Sequence, residues 1–166
     1  GGQTLTARLV VAADSRFSET RRSMGIPADS HDFGRTMLVC RMNHERPHHQ
    51  VAWEWFGYGQ TLALLPLAEH QSSVVVTLPP GDVQGLMAAP DTEFAAAMEN
   101  RFQRRLGNMS LASTRHAYPL VGVYPRRFVA ERFALVGDAA VGMHPVTAHG
   151  FNFGLLGQDL LGRAIR

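Results

Sequence analysis

Four short segments between Arg35 and Leu78 constrain this chain more than any other feature. Arg35 to Met42, Gln50 to Phe56, Thr61 to Leu67 and Ser72 to Leu78 are rich in β-branched and aromatic residues, and Gly, Pro or polar turns separate them. Such runs are strands, and their succession predicts an antiparallel meander. The Pro79-Pro80-Gly81 triplet breaks the pattern. After it, Asp91 caps a predicted helix running to Leu106, in which Phe94, Met98, Phe102 and Leu106 recur every fourth position and Gly107 is the stop. That period buries one helix face.

Different elements flank this β segment. Leu5 to Ala13 turns continuously apolar before Asp14-Ser15, as a strand entering a buried sheet would. A short helical or irregular segment spans Ser18 to Met24, and Gly25 and Pro27 punctuate the chain before His31. A strand is expected over Ser110 to Tyr118, ended or edged by Pro119, and a buried one over Phe133 to Val136. Beyond Gly150, the spacing of Phe151, Leu155, Leu156, Leu160, Leu161 and Ile165 predicts a helix, with Gly154 and Gly157 permitting close packing. The class is mixed α/β, of the α+β kind. A buried strand near residue 1 and a last helix still apolar at Arg166 carry the expectation of further chain beyond one or both ends.

With 166 residues, 45% apolar and 18% charged, the chain has enough apolar matter for a folded core. No apolar run reaches the roughly 20 residues of a spanning helix, and Gly1-Gly2-Gln3-Thr4 lacks a signal-peptide layout. Cys40, the single cysteine, excludes an internal disulfide and reads as a buried strand residue. All sixteen cationic side chains are arginine, so a pI of about 9.2 accompanies a net charge of only +2. The pairs Arg21-Arg22, Arg104-Arg105 and Arg126-Arg127 read as solvated surface, and no motif for nucleic acid accompanies them. His44, His48 and His49 with Glu45 read as a solvated polar turn without metal-ligand spacing. Trp53, Trp55 and Tyr58 read as core before pocket lining. There is no supported Ser-His-Asp set, phosphate P-loop or carboxylate pair, and no catalytic residue is assigned.

The chemistry gathers near the C-terminal end. Leu135-Val136-Gly137-Asp138-Ala139-Ala140 is a buried strand delivering a carboxylate, and His144-Pro145-Val146-Thr147-Ala148-His149-Gly150-Phe151-Asn152-Phe153-Gly154 is a loop entering a helix. A carboxylate at a strand's C-terminal end can accept from ribose hydroxyls, and N–H groups at a helix start attract electron-rich atoms. This pattern resembles the Gly-Asp motif and following loop of FAD-dependent aromatic hydroxylases, the class A flavoprotein monooxygenases, and most of all the ubiquinone-biosynthesis hydroxylases. The resemblance places Gly137 and Asp138 at the ribitol or ribose side of FAD. It lays Pro145, Ala148, Gly150, Phe151 and Asn152 along the isoalloxazine, with His144 and His149 lining the same loop. Val141 departs from a frequent histidine, and Ala148-His149 from a frequent Gly-Gln.

Asp14-Ser15-Arg16-Phe17-Ser18-Glu19-Thr20-Arg21 resembles the family's Asp-Gly-x-x-Ser-x-x-Arg motif, which serves flavin and nicotinamide phosphates. Asp14, Ser18 and Arg21 match, while Ser15 replaces a glycine, a restriction wherever positive φ is required. The family's glycine-rich Gly-x-Gly-x-x-Gly turn is not in this sequence. The resemblance implies partial FAD-binding regions at 1–25 and 131–166 around a substrate-binding β-sheet domain at 26–130. It implies a parent enzyme hydroxylating an aromatic or quinol substrate, most closely a ubiquinone precursor, with FAD, NAD(P)H and O2. The present stretch alone is expected to be inactive. A cytoplasmic setting follows, with peripheral contact at the inner membrane and a ubiquinone-biosynthesis complex as partner. A reductase or halogenase on the same scaffold, or an inert substrate-domain or interaction module, are the alternatives.

Overall fold

A computed structural model describes residues 2–145 and 149–166. The chain forms two compact units, one of 34–120 and one made from both flanks, up to Phe33 and from Val121 onward.

In the 34–120 unit, strands β2 (Ala28–His44, entering from the other unit), β3 (Trp53–Gly57), β4 (Gln60–Pro66), β5 (Gln71–Leu78) and β6 (Met109–Leu111) form a sheet in the order β3-β4-β5-β2-β6. β3, β4 and β5 are the expected meander, but β2 lies beside β5 rather than β3. The reason is the β2–β3 connection, which is no tight turn and passes through left-handed His49 and Gln50. Register then stacks apolar side chains in rows. Leu62 faces Val76, which faces Leu38, and Leu64 faces Val74, which faces Cys40; all are buried. β5 alternates buried and half-buried along its whole length, as a strand with one face in the core must. Burial pushes the Cys40 thiol up to about 11, against a small opposing effect of Arg115, so this cysteine is inert core.

Two helices share that core. The Pro79-Pro80-Gly81 triplet does end the β pattern, with β5 stopping at Leu78, but it also opens a helix that was not expected, α2 (Pro80–Ala88), where the missing N–H of Pro80 is harmless. Helix α3 (Asp91–Arg101) buries Phe94 and Met98. It ends earlier than its periodicity implies, because Gln103 and Arg104 adopt left-handed φ, yet Phe102 and Leu106 remain in the core. Asp91 is the first helical residue rather than the cap; Pro90 precedes it, and the Asp91 carboxylate accepts from Arg115 instead. The single strand expected over 110–118 is two, β6 and β7 (His116–Pro125), separated by residues 112–115, and Pro119 sits inside β7 at an exposed position instead of ending a strand. His44 and His48 are buried, correcting the solvated turn: His48 Nε2 donates to Ala68 O at 2.6 Å, while its Nδ1 accepts from the Gln50 N–H at 3.0 Å. Trp53 and Trp55 pack against this core, and Tyr58 is fully exposed.

The flanking unit holds a three-stranded sheet of β1 (Val10–Ala12), β9 (Phe133–Leu135) and β8 (Val129–Ala130), with β1 parallel to β9. β9 is buried throughout. β1 is shorter than expected and only Ala12 is buried; Val10 and Val11 stand on an edge strand with little to cover them. Helix α1 (Glu19–Ser23) is capped by Ser18, whose hydroxyl accepts from the Arg21 N–H. Arg21 itself is 6% exposed, which corrects its reading as a surface arginine. A 3₁₀ turn, Gly137–Ala139, follows β9, and α4 (Gly150–Ala164) closes the chain without burying any residue. Among the described residues, no helix is long and apolar enough to cross a membrane.

Candidate functional site

Strand β9 delivers the site. Its three buried residues fix the strand, and Val136 leaves it in extended conformation with its N–H bonded to Ala12 O. Gly137 then turns with φ of 58°, in the left-handed region that a side chain resists, and nothing lies within 4 Å of where its Cβ would stand. The reversal throws Asp138 out of the sheet, with an exposed side chain.

Gly137 and Asp138 line one cavity of about 360 Å³ with Gly150, Phe151, Gly154, Leu155 and Gln158 of α4. Gly154 comes close here: a Cβ on it would stand 3.6 Å from Gly137 Cα, the packing anticipated from its glycine, whereas Gly157 meets nothing. Four expected residues, Gly137, Asp138, Gly150 and Phe151, are thus brought together. Asn152 is exposed on the first turn of α4 without lining the cavity, Pro145 is exposed ahead of the helix, and Ala148 lies outside the described residues. His144 stacks edge-on against Phe33 at 4.6 Å, and His149 lies 6.1 Å from Phe153.

Asp14 and Arg21 do not line the cavity. Asp14 Oδ2 accepts from the Thr20 N–H at 3.2 Å and its hydroxyl at 3.0 Å. Hydrogen bonding, led by the Ser18 hydroxyl and aided by Thr20, holds the Asp14 carboxyl well below the usual carboxylate range against a smaller opposing effect of burial. Ser15 takes no left-handed φ among the described residues, so its place in a glycine position strains nothing; its hydroxyl accepts from the Phe17 N–H. Arg21 Nη1 donates to Arg16 O, while its Nε is enclosed without a partner.

Arg16 connects the two motifs and was not singled out from sequence. Its Nη2 and Nε donate to Asp138 Oδ2 at 2.8 and 3.2 Å, and Nη1 donates to Val121 O at 3.0 Å and Met143 O at 3.5 Å. The signal available was a second arginine inside the first motif, besides the matching Arg21, and a lone carboxylate in the second. Among the described residues no group of three metal-ligating side chains converges.

A family model described as "FAD binding domain" matches residues 1–165. The ubiquinone hydroxylase UbiM of Neisseria meningitidis is 52% identical over 99% of this chain and 36% of its own length. The ubiquinone hydroxylase UbiL of Rhodospirillum rubrum is 44% identical over 93% of this chain, again 36% of its own length. The chain therefore spans a little over a third of the curated relatives it matches. Among solved structures, PqsL of Pseudomonas aeruginosa, a probable FAD-dependent monooxygenase, superposes with TM-score 0.70 at 23% identity, covering 89% of this chain and 42% of its own. The flavin-dependent brominase Bmp2 gives TM-score 0.71 at 16% identity over 89% of this chain and 40% of its own, so these two likenesses speak to fold alone. With this match over residues 1–165 and the mixed α/β fold, the chain belongs to the FAD binding domain family.

Proposed function

We propose that this chain serves an FAD-dependent monooxygenase that hydroxylates the aromatic ring of a ubiquinone precursor, drawing on NAD(P)H and O2. The observation that carries the reading is the likeness to two ubiquinone hydroxylases across nearly the whole chain. The residues present fit the cofactor. Asp138 Oδ1 receives no hydrogen bond among the described residues, open space stands where a Cβ on Gly137 or Gly150 would be, and Arg21 is a buried cation with an unpaired Nε. A cavity of about 360 Å³ takes part of a dinucleotide rather than the whole.

In this reading Asp138 accepts from a ribitol or ribose hydroxyl, and Gly137 and Gly150 let the ligand approach the backbone. Pro145, Ala148, Phe151 and Asn152 follow the ring system, and Asp14 and Arg21 serve the phosphate side. The flanking unit belongs to the FAD-binding part and the 34–120 unit to the substrate-binding part. Bound FAD supplies the redox chemistry, reduction by nicotinamide and activation of O2. The chain's own side chains bind, orient and exclude water; none is assigned a proton-transfer step. A quinol with an apolar tail implies a cytoplasmic protein in peripheral contact with the inner membrane, within a ubiquinone-biosynthesis complex. The likeness to a brominase at low identity does not favour halogenation over hydroxylation.

Deleting the gene in its host and profiling quinones by mass spectrometry tests this. The expected result is an accumulated under-hydroxylated precursor, restored to ubiquinone by the plasmid-borne gene. Unchanged ubiquinone in a host without a second hydroxylase would remove the ubiquinone pathway from consideration.

A further inference from the structure

We infer that Arg16 is a positioning residue that sets the Asp138 carboxylate for its ligand, an inference that rests on reading the Asp138 cavity as a flavin site. Three observations within one compact unit carry it. Arg16 spends all three of its side-chain nitrogens: Nη2 and Nε on Asp138 at the exit of β9, and Nη1 on the carbonyls of Val121 and Met143, which anchor it from outside the cavity lining. A planar guanidinium fixes direction as well as charge, which an ammonium cannot do. Both donations to Asp138 fall on Oδ2, leaving Oδ1 without a hydrogen bond among the described residues. The carboxylate is therefore held with one oxygen engaged and the other open to a hydroxyl donor from the cavity that Asp138 lines.

Gly142 supplies the third observation. A Cβ there would stand 2.6 Å from Arg16 Cβ and 3.4 Å from its Cδ, so the arginine stem passes where any other residue would put its side chain. The Gly142 backbone is itself pinned, exchanging two hydrogen bonds with Val123 at 2.8 and 2.9 Å. A pinned glycine and a threaded arginine leave the guanidinium little choice of position. An exposed carboxylate without this clamp would sample several rotamers and would meet a phosphate-bearing ligand with its charge uncompensated; fixing it beforehand reduces the ordering cost of binding.

The test is a double-mutant cycle on the whole protein, reading FAD affinity by fluorescence titration of the apoprotein. Arg16→Gln and Asp138→Asn should each raise the Kd by roughly tenfold, the loss of one charge-assisted contact. The double variant should bind no more weakly than the weaker single, because Arg16 acts through Asp138. Arg16→Lys should fall between wild type and Arg16→Gln. Gly142→Ala should raise the Kd without removing a polar group. Should Arg16→Gln fail to fold, Arg16→Lys against Asp138→Asn completes the same cycle. Wild-type affinity in the Arg16 variant, or a double variant whose loss is the product of the single losses, overturns the inference alone. A wild-type apoprotein that takes up no FAD overturns the flavin reading, and this inference with it.

Discussion

The two compact units are held together by different means. In residues 34–120, a single apolar core joins the Leu62–Val76–Leu38 and Leu64–Val74–Cys40 rows to Val83, Phe94, Met98 and Phe102. The flanking unit has a thin core of Ala12, Ile26, Phe133, Leu135 and Ala139, while Phe151, Leu155, Leu156 and Leu160 on α4 are at least half exposed. What organises that unit near the candidate site is polar: the Arg21 to Arg16 to Asp138 chain and a left-handed glycine. Packing carries stability in one unit, and hydrogen-bond geometry carries the site in the other.

The largest expected effect follows from the first half of that contrast. Phe94 is fully buried, with the Arg115 guanidinium 5.0 Å from its ring centre. Phe94→Ala should cost about 3 to 5 kcal/mol in chemical denaturation, the range for deleting a buried aromatic side chain. FAD affinity per folded molecule should barely move. A large fall in affinity at unchanged stability would break the division between packing and site.

The second half is sharpened by the reverse experiment. Asp138→Ala should weaken FAD binding by about 1 to 3 kcal/mol, as expected for removing a charged hydrogen-bond partner. Stability should change little, because the Arg16–Asp138 pair is partly exposed at both ends. Unchanged titration of the apoprotein would take Asp138 out of the site. Gly137→Ala comes next, with about 1 kcal/mol of strain from a side chain forced to left-handed φ. The strain should appear in thermal unfolding of the apoprotein, where the added methyl meets no protein atom, and the same methyl, standing in the cavity lining, should also weaken FAD binding in titration.

The sequence was most legible where one period repeats. β5 and the Phe94–Met98–Phe102 spacing announce their buried faces, because strands and helices repeat at two and about 3.6 residues. Strand order was not legible: nothing local in β2 distinguishes pairing with β5 from pairing with β3. Helix α2 was hidden by a proline pair that reads as punctuation yet suits a helix start. β8 has only two residues and no period to detect. At the candidate site, the Gly137-Asp138 joint was visible as an apolar run ending in a carboxylate. Its partner Arg16 was not, since the contact spans 122 positions and only the folded chain brings the charges together.

The smallest expected effect is also the one that depends on pH, and it arises in the well-packed unit. His44 is buried at the end of β2, with Nδ1 2.7 Å from Arg46 O and Nε2 3.0 Å from Ser72 Oγ. The His48 and His70 rings lie 5.6 and 6.2 Å away. Burial lowers the His44 pKa below its usual 6.5, and repulsion from His48 and His70 adds to this against the favourable Arg46 carbonyl. The folded state therefore binds a proton at His44 less readily than the unfolded chain. Stability from keeping the ring neutral is fully present above the unfolded pKa near 6.5 and is lost as pH falls from there through the lower folded value. Denaturant midpoints measured from pH 8 down to pH 5 should thus decline below about pH 6.5, while His44→Gln, which cannot titrate, should flatten the decline. A variant retaining the full slope would assign it to other groups, and a slope of opposite sign would mean that the buried ring gains a proton on folding.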